Sequence, residues 1–120
     1  MATMNTAIEY VDNILPNVYK EDDKYEWLSK LDGRVAREVL NIDPPAYELP
    51  RDADTELLVE HPYDSIYALW LMAMIHFHNQ EYDSYNNVVL MFQEQYDAFK
   101  AWHQRTHGSG TAKRFRNIMG

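Results

Sequence analysis

Apolar residues recur at helical spacing in four stretches of this chain, and each stretch is bounded by residues that stop a helix. From Asn5 to Leu15, Ile8, Val11 and Leu15 share one face, and Thr6 with Glu9 is placed as a capping box in which each side chain satisfies the other's backbone N–H. Pro16 ends this short helix. A stronger pattern runs from about Asp22 to Asn41, with Asp22 or Asp23 as N-cap and Trp27, Leu28, Leu31, Val35 and Val39 as its apolar face. Glu26 and Lys30 form a favourable i, i+4 pair on that helix, and Gly33 in its interior, costing roughly 1 kcal/mol against alanine, points to close backbone packing.

The periodicity then stops. Between Ile42 and Pro62, Pro44, Pro45, Pro50 and Pro62 exclude a continuous helix, which leaves a connection longer than compact domains ordinarily keep without a function or mobility. Ala46–Leu49 and Glu56–Glu60 read as short extended pieces that would pair as a hairpin.

A third helix, from about Tyr63 to His78, is apolar nearly all round through YALWLMAMI, so it has to be covered on more than one side by its own domain or by a neighbouring subunit. A fourth, from about Glu81 to Arg105, would be ~36 Å long at 1.5 Å per residue. Its Tyr82, Tyr85, Val89, Phe92, Tyr96 and Phe99 alternate in steps of three and four, the seam of a helix packed lengthwise on an antiparallel partner. HNQE at 78–81 falls where the apolar phase changes and is the turn of that hairpin. The expected fold is therefore all-α: a small bundle of about four helices, with a long aromatic hairpin of the third and fourth helices and a proline-containing loop before it. Residues 1–107 form the single domain, and 108–120 a flexible basic tail.

Charge sharpens this picture. All nineteen acids and eight of the eleven Lys and Arg precede residue 113, giving a body of −11, while Lys113, Arg114 and Arg116 give the last eight residues +3. An acidic body argues against nonspecific binding to nucleic acid or an anionic membrane, because phosphate contacts need clustered cations. The start, MATMNTAIEY, lacks the basic and apolar regions of a signal peptide, and the longest apolar run, Ile66–Ile75, is about half the ~20 residues a membrane span requires, so a soluble protein is expected. Without cysteine there are no disulfides, thiolate nucleophiles or thiolate metal sites.

The densest cluster of ligand-type side chains is HFHNQEYDSYNN at 76–87. On one helix, His76 and His78 stand about 200° apart and point to opposite sides, and the Glu-x-x-His pairs of di-iron bundles do not occur. Glu81 and Asp83 open the fourth helix, where acids are favoured by the free N–H groups, and their spacing directs them apart. Ser29, Ser65, Ser84 and Ser109 lie in no nucleophile-elbow context, and DADTE at 52–56 lacks the glycine and terminal glutamate of a calcium loop. No catalytic, cofactor or metal residues are assigned. The aromatic excess on the third and fourth helices reads as core or subunit interface, tyrosine suiting surfaces that become buried with the hydroxyl still wet.

Taken together, YVDNILPN at 10–17, KYEWLSKLDGRVAREVL at 24–40 and the stretch from DADTELL at 52 through PYDSIY and NQEYDSYNN to RTH at 107 resemble the small head-tail connector proteins of tailed bacteriophages and prophages. The resemblance spans roughly residues 8–107 and is specific as a set of motifs. It implies an all-helical, non-enzymatic virion protein of the head-completion or adaptor class, found in the host cytoplasm during assembly. Such a subunit forms a homo-oligomeric ring of about twelve copies under the portal protein. The ring extends the channel through which double-stranded DNA passes without sequence-specific binding during genome packaging and ejection, and it docks a tail-side connector or stopper protein. On this reading the candidate subunit or portal contacts are Trp70, Met74, Tyr85, Phe92, Tyr96 and Trp102, with Lys113, Arg114 and Arg116 in the tail; the 42–62 loop and the tail would be adaptable segments; no membrane and no cofactor are implied.

Two rival classes frame that expectation. An all-helical pyrophosphohydrolase would need carboxylates at i, i+3 or i, i+4 on facing helices to hold magnesium, and the third helix has no acid between Ser65 and His78. A small non-enzymatic protein-binding module or regulator is compatible with the same residues and differs from a ring-former in oligomeric state.

Overall fold

The first helix, α1 (Met4–Ile14), starts one residue before its expected position, and its cap lies on different residues. In the computed structural model, which describes residues 2–108, the Thr3 hydroxyl accepts from the Thr6 N–H at 3.1 Å and the Thr6 hydroxyl accepts from the Thr3 N–H at 2.9 Å. Thr3 has the extended backbone that a cap residue needs, whereas Thr6 already sits inside the first turn, so the reciprocal cap is Thr3 with Thr6 and not Thr6 with Glu9. Leu15, followed by Pro16, closes the helix as expected.

The second helix, α2 (Glu21–Val35), continues through a wider π-helical turn at Ala36–Leu40. Asp22 and Asp23 are not its caps; they stand with Glu21 in the first turn, where carboxylates oppose the positive dipole end. Asn41 at φ 55° takes the left-handed conformation that ends the helix, and the Ile42 N–H bonds back to the Ala36 carbonyl at 3.0 Å. Leu28, Leu31, Val35 and Val39 are buried on one face, with Trp27 half-buried beside them. Gly33 is not forced by close packing, since a Cβ there would meet the Pro44 Cβ at 3.8 Å, an ordinary contact.

The 42–62 connection contains no hairpin, and no strand occurs among the described residues. Arg51–Asp54 makes a single 3₁₀ turn, and Glu56 bridges Thr3 while the Leu57 N–H donates to the Ala2 carbonyl at 2.8 Å. The second extended piece therefore pairs with the start of the chain and not with the first piece. Its alternation still has a purpose: Leu57 and Val59 point into the same core as the helices, joined by Ala53 from the 3₁₀ turn. Half of the long loop is thus a wall of the domain.

At the centre lies α3 (Ser65–His78), and no residue between Ile66 and His76 is fully exposed. Most of its apolar circumference is covered by the subunit itself, with α1, α2 and α4 (Tyr82–His103) each packed against it. The hairpin of α3 and α4 is the largest internal packing, and Val88, Phe92, Tyr96 and Phe99 carry it from the α4 side. Gln80, at φ 63°, supplies the left-handed residue of the turn, and the Glu81 N–H closes it on the His76 carbonyl at 2.9 Å. Asn79 instead fixes the turn to the body, accepting from the Tyr19 hydroxyl at 2.6 Å. No helix among the described residues is long and apolar enough to cross a membrane.

Candidate functional site

The most heavily constrained polar group is the Asp32 carboxylate, which is fully buried on α2. Its Oδ1 accepts from the Tyr67 hydroxyl at 2.6 Å, and its Oδ2 accepts from the Tyr47 hydroxyl at 2.7 Å and the Leu58 N–H at 3.2 Å. The Tyr67 oxygen in turn accepts from the Val59 N–H at 2.8 Å. Burial pushes the Asp32 carboxyl above the usual range, and the three donors offset this only in part. Burial and the neighbouring carboxylate push the Tyr67 hydroxyl far up, so it stays protonated and donating. This set ties α2, α3 and two points of the 42–62 loop together, and every member faces a partner inside the fold. It is a clasp and offers no open face to a substrate.

Sequence reasoning missed Asp32, although a signal existed: it lies four residues after Leu28 and three before Val35, a charge set into an apolar stripe. Lys24 is a second buried charge, with its ammonium 2.7 Å from Asp12 on α1.

The candidate contact residues separate into three groups. Phe92, 2% exposed, and Tyr96, 0% exposed, are core residues of this subunit, so their rings are not available to a partner. The Tyr96 hydroxyl donates to Glu38 at 2.9 Å, Arg34 donates to the same oxygen at 3.0 Å, and the Arg34 guanidinium lies 4.7 Å over the Tyr96 ring. Trp70, Met74, Tyr85 and Trp102 are half-buried. Trp70 donates to the Trp27 carbonyl at 3.0 Å with its ring 5.1 Å from Phe92, and Trp102 rests 5.5 Å from Tyr63, so both are largely spent on internal packing. Lys113, Arg114 and Arg116 lie outside the described residues.

The polar cluster at the hairpin turn also resolves into separate jobs. His76 meets Glu81 at 2.8 Å, and this contact holds the Glu81 carboxyl below its usual range. His78 points the other way and stacks on Trp27 at 5.1 Å with the rings 9° from parallel. Among the described residues no three His, Asp or Glu side chains gather in a way that would hold a metal ion.

Apart from Val18 and Ile42, the exposed large apolar side chains of the described residues lie at or beside two places. One is a groove of about 420 Å³ lined by Tyr10 and Ile14 of α1, Leu69 and Met72 of α3, and Met91 of α4, with Glu94 at its edge. The other is the hairpin end, where Phe77 and Tyr82 are about half exposed and the Phe77 ring lies 5.4 Å from that of Tyr85. Nine residues separate Tyr82 from Met91, so at 100° per residue the two face about 180° apart on α4. The sequence hint was VVLMF at 88–92, five apolar residues in a row and too many for one helix face; Leu90 is 71% and Met91 55% exposed. Neither the family models, nor the curated proteins, nor the solved structures compared with the chain give a match.

Proposed function

We propose that the protein is a structural head-tail connector of a tailed bacteriophage or prophage, a subunit that forms a ring below the portal protein and docks the next tail-side component. The observation that carries this reading is the pair of apolar patches on opposite faces of α4. A closed ring requires a heterologous contact, in which one patch of each subunit meets a different patch of its neighbour. The subunit is also plate-shaped, 53 × 34 × 20 Å. About twelve such plates standing side by side across their thinnest dimension would leave a bore of roughly 25–40 Å, depending on which longer axis points inward, wide enough for a duplex.

The acidic body then has a physical role. Carboxylates lining the bore repel the phosphates and let the duplex slide without adhering, whereas clustered cations would hold it. The 42–62 loop takes a more limited part than an adaptable arm would, because Leu57, Val59 and the Asp32 clasp hold its second half in the core.

The two-patch geometry is tested with Met91→Asp and Tyr82→Asp, each on one exposed patch. Each variant alone should fail to form rings on the portal, and the two mixed should give a pair of subunits joined through the one contact that both partners keep intact. Full rings from either variant alone would remove these patches from the assembly.

A further inference from the structure

We propose that in the free subunit the apolar groove of α1, α3 and α4 is covered by the chain's own residues 113–119, KRFRNIM. Three observations converge on this occupant. The groove is continuous, through Tyr10, Ser65 and Ala68, with a second depression lined by Ala2, Thr6, Ala7 and Asp64 near the start of α3. That is the end at which α4 finishes, as the 5.5 Å contact of Tyr63 with Trp102 shows, so the chain leaves the described fold where the groove opens. The reach is sufficient: from Gly108 back to Gln95 and Met91 is about 20 and 26 Å along a helix. Seven residues to Phe115 and ten to Ile118 span up to about 24 and 34 Å.

The chemistry matches as well. The segment carries Phe115, Ile118 and Met119 among Lys113, Arg114 and Arg116. The combined groove has an apolar floor, Glu94 and Asp64 at its edges, and neither Lys nor Arg in its lining. A tethered segment acts at an effective concentration in the millimolar range, about a thousandfold above a second copy at micromolar concentration, so the chain's own tail wins the groove until a partner displaces it. The inference stands whether or not the subunit builds a ring.

Because the chain has no cysteine, a pair can be introduced without background thiols. In the full chain, Met91→Cys with Ile118→Cys should form an internal disulfide under mild oxidation at several times the yield of Leu90→Cys with Ile118→Cys. Leu90 is as far from the tail root and more exposed, yet stands about 100° round the helix and outside the groove. Changing Lys113, Arg114 and Arg116 to Glu should lower the Met91 yield several-fold. Equal yields for the two pairs would overturn the proposal, as would a disulfide-linked dimer as the main product, which would give the groove to a second copy.

Discussion

Replacing Asp32 with alanine removes the acceptor of three donors at once, and the structure allows the loss to be worked out. The Tyr67 hydroxyl and the Leu58 N–H would be left inside the protein, each stranded donor costing about 1–3 kcal/mol. Tyr47 is half-buried and can turn to water, so its share is at the low end. Against this stands relief from holding a carboxylate out of water. A net destabilisation of about 3–5 kcal/mol follows, a large part of the 5–15 kcal/mol typical of a domain. Urea unfolding should show the midpoint fall with little change in slope. Amide exchange at Leu58 and Val59 should accelerate most, because the clasp is what fastens the loop there. Asp32→Asn keeps one acceptor and should fall between. The pH dependence has a definite sign. Because the folded protein holds the Asp32 proton more tightly than the unfolded chain, the stability this group contributes is full at or below about pH 4 and declines as pH rises through its elevated folded-state pKa. The gap between wild type and Asp32→Asn should therefore narrow from pH 4 toward pH 7. An Asp32→Ala variant within about 1 kcal/mol of wild type, with the loop amides still protected, would refute the clasp.

Gly33→Ala should stabilise by roughly 0.5–1 kcal/mol, since the helix gains propensity and the new methyl meets only Pro44 at contact distance; a lowered melting temperature would show that the glycine is needed. The Lys24–Asp12 pair should be strongly asymmetric, because Lys24 is 4% and Asp12 40% exposed at the side chain. Asp12→Ala strands a buried ammonium and should cost about 3–5 kcal/mol, while Lys24→Met leaves a carboxylate that water and the Asn17 amide still solvate and should cost about 1 kcal/mol or less. Thermal melts of the two variants should differ by about 10 °C or more, and similar melts would contradict the burial argument.

Helix order was legible because the apolar spacing is strong and the stops are chemical: Pro16, Asn41 and the Asn79–Gln80 turn end their helices by mechanisms that act locally. The all-α fold and the α3–α4 hairpin follow directly from that spacing. What could not be read was decided across the fold. Thr3 takes the cap because the start of the chain is drawn against Glu56 and Leu57, a contact between residues more than fifty positions apart. Glu56–Glu60 shows an extended alternation, but nothing local says that its partner is Ala2–Thr3 and not Ala46–Leu49. Phe92 and Tyr96 looked like contact residues because an aromatic seam has the same spacing whether a neighbouring subunit or α3 covers it. The groove was only hinted at, by VVLMF having more apolar residues than one helix face holds, because its lining of Tyr10, Leu69, Met72 and Met91 comes together only where three helices meet.

The most direct test of the connector reading is native mass spectrometry of the 120-residue protein, alone and mixed with a phage portal protein from the same genome. A closed ring of one fixed size, about twelve copies, formed alone or on the portal, is the predicted result. A monomer or dimer that ignores the portal would contradict it and leave a small protein-binding module as the account of these two apolar patches.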